Sequence, residues 1–301
     1  MGIKKLLVNR MLKSWEERDN KILTGQLLPD RIEEKIDIPY IQDGHRGHLL
    51  DVYYPKDTKE KIPVIIDIHG GGFLYGYKEM NKLYCYHLSK RGFIVFNLNY
   101  RLAFSDTKVP GQIQDVVSAI NWINNHIDSY PADKARIFIT GESAGGVLTI
   151  MAMLISKSQR LQKIFNTEAI NLDIKAAAII CGMMQFDEPT IPYWGMRSMC
   201  FDKEYKKQEY YQNMIFSNIL EMKELPPIFL STSDEDELRK MTLNFENTLK
   251  KYGVTYKLKY FEKGKNKKIG HMFSILHPEY EESVELIDEM LDFFDKYVFL
   301  K

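Results

Sequence analysis

The chain has 301 residues, and its 41 Lys+Arg balance 41 Asp+Glu, so the formal charge at neutral pH is zero. That balance excludes a broad basic field of the kind that attracts nucleic acid or anionic lipid. With 45% hydrophobic and 27% charged residues, the composition is that of a folded globular protein rather than a disordered one.

Residues 1–34 begin with Met1-Gly2-Ile3-Lys4-Lys5. The apolar run at 6–8 is too short for a signal-peptide core, and no run approaches the roughly 18 apolar residues of a membrane span. Gly2 lacks the Ser or Thr at position 6 that myristoylation needs. Leu6, Leu7, Met11, Leu12 and Trp15 predict one amphipathic helix and then a linker. The three cysteines, Cys85, Cys181 and Cys200, are odd in number and have no CxxC spacing. They argue against a zinc ribbon or a disulfide framework and for a reducing compartment, so the expected location is the cytoplasm.

Residues 35–40 and 49–54 flank Asp43-Gly44 and Gly47, which predicts an antiparallel hairpin. Continuous apolar runs follow at 64–68, 93–98, 137–140, 176–180, 228–231 and 256–261. Most read as strands of a sheet covered on both faces. Between them, Ile113, Val116, Val117, Ile120 and Ile123 have helical spacing, as do Leu238, Met241, Phe245 and Leu249, and Val284, Ile287, Leu291 and Phe294. Alternation of strand and helix predicts an α/β fold with a mostly parallel central sheet flanked by helices. Residues 183–224 hold no new strand but are rich in aromatics and methionine, so they are expected to cover something apolar. The basic run 263–268 reads as a solvated loop.

Gly141-Glu142-Ser143-Ala144-Gly145-Gly146 lies between the run 137–140 and a helical stretch, 147–155. Gly-x-Ser-x-Gly in that context is a nucleophile elbow: the serine sits on a strained turn with its hydroxyl clear of the backbone. His69-Gly70-Gly71-Gly72-Phe73 follows the run 64–68. Its glycines allow a close approach to a ligand, and the amides of Gly71, Gly72 and Ala144 are candidate oxyanion donors. His69 itself reads as a brace for the loop.

A serine hydroxyl needs a base and an orienting acid, which follow such an elbow in the order acid, then histidine. Only His271 and His277 remain downstream. His271 is preferred because it lies in a loop after the run 256–261. The acid belongs in Ser233-Asp234-Glu235-Asp236-Glu237, where Asp234 and Asp236 both qualify. No EF-hand pattern is complete, and no metal or cofactor is expected.

With these residues the chain resembles the hormone-sensitive-lipase-like branch of the α/β-hydrolase superfamily, the fold-3 or acetyl-esterase type. The matching motifs are His69-Gly70-Gly71-Gly72-Phe73, Tyr100-Arg101-Leu102-Ala103, the elbow, Asp236-Glu237-Leu238-Arg239 and His271-Met272-Phe273. The family reads Asp-Pro-Leu-Arg at its acid, so the resemblance favours Asp236. Departures are Glu142 for a usual Asp or Thr, Phe104 for the start of a Pro-Glu pair, and Glu237 for Pro. The resemblance implies an α/β-hydrolase core over 35–182 and 225–301, with a helical cap from 1–34 and 183–224.

The implied activity is a serine carboxylesterase acting on short acyl esters through an acyl-enzyme. Phe73, Glu142, Tyr193, Trp194 and Met272 are candidate substrate contacts. The expected partner is a small ester, with no nucleic acid and no membrane span, and a homodimer is an open possibility. Alternatives are an amidase, peptidase or lactonase on the same triad, or a binding protein that has lost catalysis.

Overall fold

The computed structural model describes residues 3–103, 107–185, 191–264 and 267–298, with backbone only at 3–5 and 191–195. Phe104 and residues 265–266 of the basic loop lie outside the described residues.

Eight strands form one sheet. They are β1 (Ile32–Pro39), β2 (Leu49–Pro55), β3 (Ile62–Ile68), β4 (Ile94–Leu98), β5 (Ala132–Glu142), β6 (Ile174–Ile180), β7 (Ile228–Ser233) and β8 (Tyr256–Phe261). Their spatial order is β1-β2-β4-β3-β5-β6-β7-β8. β1 pairs antiparallel with β2, and β2 with β4, while every pair from β4 onward is parallel. The expected hairpin therefore forms, although β1 begins at Ile32, inside the stretch expected to be linker.

The continuous apolar runs are explained by two separate cores. Val64, Ile66 and Ile68 of β3 face one, together with Ile137 and Ile139 of β5. Ile65 of β3 and Phe138 of β5 face the other. Successive strand residues point to opposite faces, so burial on both sides removes the polar alternation. The first core is closed by α3 (Val109–His126), α4 (Ala144–Lys157) and α8 (Arg239–Tyr252). The second is closed by α2 (Lys82–Lys90) and α10 (Glu281–Asp295).

The remaining helices are α1 (Ile3–Leu23), α5 (Gln159–Phe165), α6 (Ile191–Cys200), α7 (Glu209–Gln212) and α9 (Phe273–Leu276). α1 lies against α6 and α9. The parallel strands β3, β5, β7 and β8 end on the same side of the sheet, where α1 also sits. Ligand sites in open parallel sheets form at that edge. Among the described residues no helix is long and apolar enough to cross a membrane.

Candidate active site

β5 ends at Glu142 and α4 begins at Ala144, which leaves Ser143 alone on the turn at φ 53°, ψ −117°. Such a backbone costs a non-glycine residue on the order of 1–3 kcal/mol and persists only where its neighbours hold it. Here the Ser143 amide donates to Ile180 O at 3.0 Å, and Met183 N donates to Ser143 O at 2.9 Å. A Cβ on Gly145 would lie 2.1 Å from the Ile68 carbonyl oxygen, so only glycine lets α4 approach β3 this closely.

The turn after β3 is strained as well. Gly71 has φ +107°, and a Cβ there would lie 1.9 Å from the Tyr75 carbonyl oxygen. Gly71→Ala should therefore cost more stability than Gly253→Ala, where φ is +67° but an added Cβ meets nothing within 4 Å. The second variant should lose about 1–2 kcal/mol, the cost of the left-handed backbone alone, and the first distinctly more. Paired thermal unfolding curves check this.

His69 braces the same turn. Its Nδ1 donates to Gly70 O at 2.8 Å, and its ring stacks on Tyr100 at 4.3 Å between centroids. Burial pushes the imidazole down to about 4, so it is neutral. The Tyr100 hydroxyl donates to His69 O at 2.8 Å. Next to it, Arg101 grips Asp115 of α3 through two guanidinium nitrogens.

His271 follows β8 in a loop tied to the end of β7. The Ser233 hydroxyl donates to Ile269 O, and Ile269 N donates to a Glu235 carboxylate oxygen at 2.9 Å. The imidazole Nε2 lies 3.1 Å from Ser143 Oγ, and Nδ1 lies 2.8 Å from Asp236 Oδ1. Asp236 accepts two more hydrogen bonds, from Leu238 N to Oδ1 at 2.9 Å and from the Thr232 hydroxyl to Oδ2 at 2.7 Å. Burial pushes this carboxyl up. The hydrogen bond and charge of His271, with the Thr232 and Leu238 donors, outweigh burial and hold it below the ordinary carboxylate range.

Asp234 points elsewhere. It is exposed, pairs with Arg239 at 2.8 Å and accepts from the Tyr260 hydroxyl. His277 stacks on Tyr280, away from Ser143. The structure thus brings Ser143, His271 and Asp236 into one hydrogen-bonded chain and leaves Asp234 and His277 outside it.

A cavity of about 60 Å³ opens beside Ser143 and His271. Gly71, Gly72 and Met272 line it, as do Met80, Met183 and Leu238. Phe73 does not: its side chain is 2% exposed and belongs to the hydrophobic core. Glu142 is buried beneath the turn, where it accepts from Gly70 N, rather than lining the cavity. Tyr193 and Trp194 lie on α6, and their side chains are outside the described residues.

α1 adds Trp15, Arg18 and Asp19 to the cavity wall. The helix was legible in the sequence. That it would turn a charged pair toward the cavity was not, since amphipathic spacing reports only the apolar face.

Among the described residues, one group of three side chains could offer ligands to a metal: Cys181, Asp236 and His271, with donor atoms within 4.8 Å of one another. Burial pushes the Cys181 thiol well up, which disfavours the thiolate a metal would need. Asp236 and His271 are already committed to each other.

Comparison with known proteins gives this geometry a family context. The BD-FAE family model matches residues 50–245. LipM of Mycobacterium tuberculosis, a probable carboxylic ester hydrolase, is 34% identical over 154 residues, 50% of this chain and 35% of that one. Esterase B from Lactobacillus rhamnosis, in a crystal structure with a C4-C4 tributyrin phosphonate, is 26% identical with a TM-score of 0.91. That match covers 99% of this chain and 97% of that chain. Brefeldin A esterase, a bacterial homologue of human hormone sensitive lipase, shares the fold at 18% identity and a TM-score of 0.73, over 96% of this chain and 85% of that one. The chain spans 23–26% of the length of the first curated relatives it matches. The architecture is the α/β-hydrolase fold that the motifs implied.

Proposed function

The chain belongs to the BD-FAE family, and on that premise we propose that it is a serine carboxylic ester hydrolase with Ser143 as nucleophile. The observation that carries this reading is the continuous contact from Ser143 Oγ through the His271 ring to Asp236. His271 takes the serine proton as Oγ attacks the ester carbonyl. Asp236 holds the imidazole in the tautomer with the proton on Nδ1 and stabilises the imidazolium that forms. The oxyanion is held by the amides of Gly71, Gly72 and Ala144, the last at the N-terminus of α4. His271 then protonates the departing alcohol, and water, deprotonated by the same imidazole, releases the acid from the acyl-enzyme.

Labelling by a fluorophosphonate tests the nucleophile directly. One modified serine, at position 143, is the expected result. An unlabelled protein that also leaves p-nitrophenyl esters intact counts against the reading.

The acyl preference follows from the small cavity and its methionines. Acetyl to butyryl chains fit such a space, and longer chains would have to displace Met183 or Met272. Esterase B, at 26% identity, is known in crystal structures with a C4-C4 tributyrin phosphonate and in a C6-C4 inhibited form. In a p-nitrophenyl ester series, kcat/KM is expected to peak at acetyl to butyryl and fall beyond. A maximum at decanoyl or longer contradicts this.

The cap belongs to the same proposal, with 1–34 and 183–224 as its two parts, less residues 32–34, which β1 takes into the sheet. The contact of α1 with α6 supports it. The buried free thiols Cys85, Cys181 and Cys200 support a reducing, cytoplasmic setting.

A further inference from the structure

A buried carboxyl without a cation is costly, and two side by side cost more, because desolvation and mutual repulsion both oppose ionisation. The turn that carries Gly71 and Gly72 rests on such a pair. Asp67 is the next-to-last residue of β3 and fully buried; Glu142 is at the end of β5 and 1% exposed. One amide nitrogen joins them: Asn81 Nδ2 donates to Asp67 Oδ2 at 2.7 Å and to Glu142 Oε2 at 3.1 Å. The other Glu142 oxygen accepts from Gly70 N, directly ahead of the proposed oxyanion donors.

Among the described residues no cation pairs with either carboxyl: the buried Lys78 ammonium is taken up by Asp37, Asp51 and Glu79. From α2, the Cys85 thiol lies 3.7 Å from Asp67 Oδ2, and Tyr84 is near enough for both carboxyls to raise its hydroxyl. Glu142 also interacts with Tyr100 and Cys181, and the Asp51 carboxylate that acts on Cys85 is paired with the Lys78 ammonium at 2.8 Å. Thr140 of β5 and Asn97 of β4 are the neighbours of Asp67 in register. His69, the nearest imidazole in sequence, is neutral. Among the described residues neither carboxyl forms an ion pair, and Asp67 Oδ1 is buried without a hydrogen-bond partner.

We propose that Asp67, Asn81 and Glu142 are positioning residues: a proton held by the carboxyl pair keeps the Gly70–Gly72 turn in place for the oxyanion. This rests on the serine esterase reading. Burial raises both carboxyls, Asp67 to about 7 and Glu142 well above its ordinary value. The pair titrates as a unit. As pH rises it gives up a proton, and the charge left behind is buried under a turn whose amides must hold a second negative charge.

Two signs follow. The oxyanion exists only in the transition state, so the loss appears in kcat rather than KM. The unfolded chain ionises Asp67 near pH 4, whereas the folded chain keeps the proton to higher pH, so the pair makes stability fall as pH rises between those limits.

Asp67→Asn tests this, since the amide keeps the shape and cannot ionise. Expected are near wild-type kcat and KM at about pH 6, and an alkaline decline in kcat several-fold weaker than in wild type. The gain in melting temperature of the variant over wild type should also be larger at about pH 8 than at about pH 5. A merely structural residue would change stability by the same amount at both pH values and leave the profile of kcat untouched.

If Asp67→Asn does not fold, the infrared spectrum of the wild-type protein decides. A protonated carboxyl band should persist at neutral pH in the folded state and vanish on unfolding. Superimposable kcat profiles for wild type and variant, or no such band, overturn the proposal. Failure of the esterase reading is distinguishable, because then wild type hydrolyses no ester while the infrared band persists.

Discussion

Ser143→Ala is expected to lower kcat for p-nitrophenyl acetate by about 10⁴–10⁶, with KM nearly unchanged. The size follows from what the side chain does in the proposed mechanism. Without Oγ no acyl-enzyme forms, and the remaining groups can only activate water directly. They still bind the ester and still present amides to the oxyanion, so a residual rate over water remains. Binding survives because the cavity wall is unchanged.

The variant also isolates chemistry from folding. Ser143 is held at its positive φ by backbone hydrogen bonds to Ile180 and from Met183, which do not involve the hydroxyl. Alanine at the same backbone angle carries the same strain, so thermal stability should stay within about 1 kcal/mol of wild type. The measurement is steady-state hydrolysis beside fluorophosphonate labelling. A folded variant that retains wild-type turnover would remove Ser143 from the mechanism.

Much of this arrangement was legible because the elements that carry it have local signatures. The strands β3 to β7 announce themselves as apolar runs, since each is buried on both faces. The elbow and the glycine turn are spelled out in consecutive residues, because close backbone approach admits only glycine at Gly71 and Gly145. α2 has only a weak periodic signature: Leu83, Tyr84, Cys85, Tyr86 and Leu88 are all buried, and Lys82, His87 and Lys90 alone reach the surface. Asp67 sits inside an apolar run and looks like a lapse in it. Its meaning depends on Asn81 and Glu142, which are distant in sequence and meet only through the sheet. The cavity wall from α1 is hidden for a similar reason, since tertiary contact alone turns Arg18 and Asp19 toward Ser143.

The choice between Asp234 and Asp236 shows how geometry sharpens an assignment the local sequence leaves open, and it sets the second large effect. Asp236→Ala is expected to lower kcat by about 10⁴, since the imidazole loses both its orientation and its counter-charge. Asp236→Asn should lose clearly less, about 10²–10³. The reason is the Leu238 amide. It donates to Oδ1, the same oxygen that accepts from His271 Nδ1. An asparagine NH₂ in that place would face a fixed N–H, so the side chain should keep its oxygen there and turn its NH₂ toward Thr232. The Thr232 hydroxyl can rotate to accept. His271 then retains its proton on Nδ1 and its Nε2 lone pair for Ser143, and only the charge that stabilises the imidazolium is lost. Asp234→Asn, at an exposed ion pair with Arg239, should leave kcat within about twofold of wild type. Three kcat values measured on one ester would test the order. A loss for Asp234→Asn equal to that for Asp236→Ala would reassign the acid. A loss for Asp236→Asn as deep as that for Asp236→Ala would mean that the Leu238 amide does not dictate how the side chain sits.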